Sequence, residues 1–175
     1  MGTWSFASAF VGAILGGFAT VVVQFFKYSI DGQVSRCSDL IVALRTLADL
    51  SSEYWLSDFA TGSEAANRGE AARKGKILEA KIRGYQKLVL NEIFVLSKLM
   101  PDAEAADLRS LQSKFIDAIS GGDFGDREGK ENSRQSIAAH VVCNEMIHVL
   151  QSAKVSSVSM WHVAERLRKL FEVKS

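Results

Sequence analysis

Residues 4–26 read WSFASAFVGAILGGFATVVVQFF, and no position from Gly2 to Phe26 is charged. The polar groups in this run are Ser, Thr and a single Gln. About 20 consecutive apolar residues in a helix match a hydrocarbon core of roughly 30 Å, so the stretch predicts a transmembrane helix. A cleaved secretory signal would carry a basic n-region, a shorter apolar run and a small-x-small cleavage site, and the run has none of these. Trp4 at one end, and Phe25, Phe26 and Tyr28 at the other, suit the two membrane interfaces. Nothing basic precedes the span, whereas Lys27, Arg36 and Arg45 follow it. The positive-inside rule then places the amino terminus outside and the remainder in the cytoplasm. The expected organisation is a transmembrane anchor over 1–28 and a cytoplasmic helical bundle over 29–175.

The run has two unlike sides. Advancing about 100° per residue, Ser5, Ser8, Ala9, Gly12, Gly16, Ala19 and Thr20 share one side, and Phe10, Ile14, Phe18, Val21 and Phe25 share the other. Small residues at intervals of four let helix backbones approach closely in a membrane. No other stretch is suited to crossing a bilayer: 88–100 is interrupted by Asn91, Glu92 and Lys98, and 138–150 is too short. A partner helix must come from another chain, so Ser8, Gly12, Gly16 and Ala19 are expected contacts in a homo-oligomer. Gln24 and Lys27 would then form the inner mouth of any pore.

Beyond the anchor the pattern is helical throughout, and the expected fold class is all-α. Cys37, Ile41, Leu44, Ala48 and Trp55 continue a stripe from Val34, broadened by Leu40, Leu47 and Tyr54, which predicts one long helix from the anchor to about residue 59. A turn is expected over 61–69 and a second helix to about residue 100, with Leu78, Ile82, Tyr85, Val89, Ile93 and Leu96 inward. Pro101 opens a third helix, whose Asp102 and Glu104 complement its dipole and whose Leu108, Leu111, Phe115 and Ile119 face the core. The glycine-rich and charged stretch 121–133 reads as an exposed loop. Ser133 is the expected cap of a fourth helix to about residue 152, with Ile137, Val141, Val142, Ile147 and Val149 available for packing. A last helix is expected from Ser156 or Ser157, with Met160, Val163, Leu167, Leu170 and Phe171 as its apolar set.

The averages of the 175-residue chain conceal this division. A formal net charge of +1 gives no bulk attraction to nucleic acid. The two cysteines, Cys37 and Cys143, form no zinc or redox motif, and reduced thiols suit the cytoplasm. No phosphate-binding glycine loop and no Gly-x-Ser-x-Gly elbow is present, and no cofactor is expected. His140, Asn144 and His148 share a helical face with Cys143 beside it, but two histidines about 12 Å apart along a helix do not hold one ion, so no metal is expected. His162 reads as a packing or surface residue.

One pattern remains, Arg134-Gln-Ser-Ile-Ala-Ala-His140 at the start of a late helix. It resembles the active-site motif of HEPN domains, in which Arg and His of two protomers converge at a dimer interface. The resemblance implies metal-independent RNA cleavage: His140 would move the proton of the attacking 2′-hydroxyl, and Arg134 would hold the phosphate. Gln135 is polar, as that family's position is, although Asn, Asp or His is more typical there. The alternative is that Arg134 is a solvated first-turn residue and His140 an interfacial one.

An amino-terminal membrane helix followed by a bundle with a divergent HEPN-like motif is similar to the small membrane accessory proteins of type VI-B, RNA-targeting CRISPR systems. That resemblance implies a homo-oligomeric pore in the bacterial inner membrane that depolarises the cell on infection, partnered with an RNA-guided CRISPR nuclease. Two other readings stand beside it: a membrane-tethered HEPN-type RNase using Arg134 and His140, and an anchored non-enzymatic scaffold for a cytosolic partner.

Overall fold

The computed structural model is all-helical, with four α-helices and no strand among the described residues: α1 (Thr3–Leu56), α2 (Ala65–Leu96), α3 (Asp102–Ser120) and α4 (Ser133–Val158). The structure describes residues 3–57, 65–121, 124 and 132–158, with side-chain surroundings given from residue 16 onward and not at 65–68 or 158. Each helix packs on its neighbours in chain order, and α4 closes the ring against α1. The polar contacts fix the directions. At one end, the Asn132 amide donates to the Trp55 carbonyl at 2.7 Å, Lys74 pairs with Glu53 at 2.9 Å, and Gln86 donates to Ser120 at 2.9 Å. At the other end, Gln33 donates to Ser157 at 2.9 Å, Ser156 donates to Glu104 at 2.7 Å, and Arg36 meets Glu92 at 3.6 Å. The chain therefore runs up, down, up and down, as short connections between antiparallel helices dictate.

The apolar stripes of the first three helices meet in the core. Leu40, Leu44 and Leu47 of α1 are buried with Ile82, Val89 and Ile93 of α2 and Leu108, Phe115 and Ile119 of α3. On α4 the inward side is Ala139, Val142, Cys143, Met146, Ile147 and Leu150. Ile137 and Val141, expected to pack, face outward at 63% and 49% exposure. This helix carries apolar residues on two sides, and the pattern alone does not choose between them.

The helix limits differ from the sequence pattern in four places. Residues 65–69, expected in a turn, already belong to α2, and α2 ends at Leu96 rather than near residue 100. There the Leu99 amide donates to the Leu96 carbonyl, tightening the last turn before Pro101. The cap of α4 is Asn132 rather than Ser133: its Oδ1 accepts from the Gln135 amide at 3.1 Å, the geometry an N-cap side chain supplies. No break separates α4 from the expected last helix within the description, because α4 continues through residues 153–158; the rest of that expected helix lies outside the described residues. The loop also holds a core element. Phe124 packs its ring 5.0 Å from Tyr54 and 6.1 Å from Trp55, with the Arg83 guanidinium 5.6 Å from its centroid.

α1 is the one helix that outruns the bundle. Its first buried side chain is Gln33, and every side chain described from residue 16 to residue 32 is exposed or half-buried. Among the described residues no helix is long and apolar enough to cross a membrane. The side chains of 1–15, which include much of the expected span, lie outside the described residues.

Candidate functional site

Two places carry the residues that the sequence singles out: the projecting part of α1 and the start of α4. On the projection, Phe18, Val21, Val23 and Phe25 are each about two-thirds exposed, and Tyr28 is 83% exposed. Isolated exposed apolar side chains are ordinary, but a continuous helical rod of them needs a covering surface. The few polar groups there do not oppose an apolar covering. The Thr20 hydroxyl donates to the Gly16 carbonyl at 2.9 Å, so it is satisfied within its own helix. A Cβ built on Gly16 or Gly17 meets nothing within 4 Å, which leaves both open to approach by another helix. Ala19, Gln24 and Lys27 are exposed on this rod, and Ser8 and Gly12 lie outside the described side chains.

At the start of α4 the expected pair is present but divergent. Arg134 is exposed and His140 half-buried. Six residues apart on one helix, they differ by about 9 Å along the axis and about 120° around it, too far to grip one phosphate from a single chain. Gln135, which the motif leaves between them, has a structural task. Its amide donates to the carbonyls of Asp117 at 2.7 Å and Ala118 at 3.0 Å, closing the carboxyl end of α3. The neighbouring Ser136 donates to Ser52 at 2.9 Å, tying α4 to α1. These contacts hold the α4 start rigidly between α1 and α3 rather than presenting it to a ligand.

The other histidine positions give no metal centre. Asn144 and His148 are exposed, and His148 lines a shallow recess of about 340 Å³ with Asp107, Ser110 and Glu145. No group of three or more metal-ligating side chains occurs among the described residues, and His162 lies outside them. Both cysteines are buried and free. Burial pushes the Cys37 thiol up against a lowering contribution from Lys154, and burial pushes the Cys143 thiol up to about 12. Neither thiol is an activated nucleophile. Because the folded Cys143 keeps its proton when the unfolded chain has lost it, stability is fully present below pH 9 and falls as pH rises from 9 toward 12. Chemical denaturation across that window, with Cys143→Ser as the comparison, is expected to show a steeper decline in the parent protein.

A recess that the sequence did not signal lies between α1 and α2. It encloses about 620 Å³, with Leu40, Val42, Tyr85 and Leu88 as its apolar lining and the Arg36–Glu92 pair at its edge. The nearby Thr46 hydroxyl is committed to the Val42 carbonyl at 3.0 Å. The recess suits an apolar group, but it contains no nucleophile with an adjacent base. Its residues are far apart in sequence and come together only by helix pairing, so no local motif announces it.

The geometry thus defines an antiparallel four-helix bundle from which one helix projects with its apolar side chains uncovered. Comparison with protein-family models, curated proteins and solved structures finds no match.

Proposed function

We propose that this chain is a single-pass protein of the bacterial inner membrane, with its amino terminus outside and its bundle in the cytoplasm. In this reading 2–26 is the anchor, and copies associate through Ser8, Gly12, Gly16 and Ala19 into a pore. The pore depolarises the membrane in CRISPR-associated antiviral defence, alongside an RNA-guided nuclease. The observation that carries the reading is the projection of α1, whose Phe18, Val21, Val23 and Phe25 find no cover in the bundle. The uncharged run from Gly2 to Phe26 supplies the length that a bilayer requires.

A ring of such helices would be lined by Ser, Thr and Gly or by apolar side chains. That lining discriminates weakly among ions and gates by dewetting, which suits depolarisation better than selective transport. The divergence of Arg134 and His140, and the engagement of Gln135 with α3, support a HEPN-like bundle used for assembly rather than for RNA cleavage. The net charge of +1 supports the same reading, since it offers no general attraction to RNA.

The test is reconstitution of the full chain into vesicles holding a potassium diffusion potential read by a voltage-sensitive dye. The parent protein and the double variant Arg134→Ala/His140→Ala are both expected to collapse the potential. A potential that survives saturating protein overturns the pore. Loss of activity only in the double variant, with RNA cleaved by the parent, transfers the function to the RNase reading.

A further inference from the structure

The segment 159–175 reads SMWHVAERLRKLFEVKS and follows directly on α4. At helical spacing, Met160, Val163, Ala164, Leu167, Leu170 and Phe171 occupy an arc of about 120°. Arg166 falls on one flank of that arc and Arg168 on the other, with Lys169 opposite. Basic residues bordering a narrow apolar face are the pattern of a helix lying in a membrane interface, its long cations reaching back to the headgroups.

The structure says where this segment begins. Gln33 donates to Ser157 at 2.9 Å, so α4 ends level with the point at which α1 leaves the bundle. Phe26 is seven residues before Gln33, about 10 Å along the helix, so the segment starts within reach of the membrane surface that the proposed anchor defines. The same end of the bundle exposes Val155 at 76% and Leu99 at 42%, and Lys98 there sits 3.9 Å from the Phe94 ring centroid. The end is not attractive to anionic lipid on its own, because Asp31, Asp102 and Glu104 outnumber Lys98. The missing positive charge is in the segment.

On these grounds, and resting on the membrane reading above, we infer that 159–175 is a second membrane contact, an interfacial segment that binds an anionic lipid surface. Each cation brought near such a surface adds about 1 kcal/mol of attraction, so Arg166, Arg168 and Lys169 together set the dependence on anionic lipid. The segment would tether the bundle at a second point and fix its tilt beneath the bilayer.

Two variants of the full chain test this. Trp4→Phe leaves Trp161 as reporter and Trp161→Phe leaves Trp4, while Trp55, 2% exposed in the core, is a constant background in both. Each is reconstituted into brominated phosphatidylcholine vesicles with or without brominated phosphatidylglycerol. Trp161 emission is expected to be quenched only when phosphatidylglycerol is present, and the triple substitution Arg166→Glu/Arg168→Glu/Lys169→Glu is expected to abolish that quenching. The milder Arg166→Gln/Arg168→Gln/Lys169→Gln should weaken it. Trp4 emission is expected to be quenched in both vesicles. Quenched Trp4 with unquenched Trp161 overturns the second contact and leaves the anchor standing, and Trp161 shielded from both lipid bromine and aqueous acrylamide would place the segment on the bundle instead. Trp161 quenching that ignores phosphatidylglycerol overturns the anionic requirement. Unquenched Trp4 removes the membrane reading itself, and this inference with it.

Discussion

Replacing Gly12 and Gly16 together by leucine is expected to reduce the detergent-solubilised protein from an assembly to a monomer and to leave a vesicle potential intact. The reason is steric. Small residues at intervals of four allow close backbone approach, and two isobutyl groups on that side hold neighbouring helices several ångströms apart. The substitution is also clean at Gly16, because a Cβ there meets no atom of its own chain within 4 Å and the bundle begins only at Gln33. Leucine has higher helix propensity than glycine, so a lost assembly is not explained by a melted helix. Gly17→Leu is the control. Its Cβ is equally open, yet it points toward the side of Phe18 and Val21, and assembly should survive. Size in detergent with particle imaging reads both variants; an unchanged particle in the double variant sinks the small-residue interface.

Trp55→Ala is expected to cost about 3–5 kcal/mol of bundle stability, the range for deleting a buried aromatic side chain. Trp55 is 2% exposed, stands edge-on to Tyr54 at 5.1 Å and faces Phe124 at 6.1 Å. Its carbonyl also receives the Asn132 amide, so the residue joins the end of α1 to the start of α4. Removing the indole opens a cavity under Phe124 and frees the loop it anchors. Trp55→Phe keeps most of the aromatic wall and should cost much less. Urea unfolding measures both through the midpoint at constant slope. A loss in Trp55→Ala below about 1 kcal/mol would show that the cluster closes without the indole, far short of the cost of an unrelieved cavity.

The fold was legible where one helical face is apolar and the other is not. The stripes of α1, α2 and α3 named their buried residues, from Leu40 and Leu44 through Ile82 and Ile93 to Phe115 and Ile119, because burial on one side leaves a 3.6-residue period in the sequence. α4 broke the rule. Ile137 and Val141 alternate with Val142 and Met146, and only the positions of α1 and α3 decide which pair goes inside. Phe124 was hidden for a different reason: a single aromatic among glycines and charges carries no period, and its place is set by contacts from α1 and α2. The cap of α4 was one residue early, since Asn and Ser compete for that role and only the hydrogen bond to the Gln135 amide settles it. The candidate site was legible in part. The open glycine face and exposed aromatics of α1 follow from composition and spacing. The engagement of Gln135 with α3 and the recess beside Arg36 are tertiary, and no local pattern encodes them.

α1 is 54 residues long, about 80 Å, and contains no proline, since the chain's single proline is Pro101. One end is woven into the core through Leu40, Leu44, Leu47 and Trp55, and the other projects free of it. A continuous helix of this kind is a drive shaft. A twist imposed on the bundle turns the Gly16 side by a comparable angle, and a change of tilt at one end becomes a displacement of many ångströms at the other. Nothing soft lies between the two to absorb it. In an assembly of such chains, whatever grips the bundles from below holds a lever on the lumen.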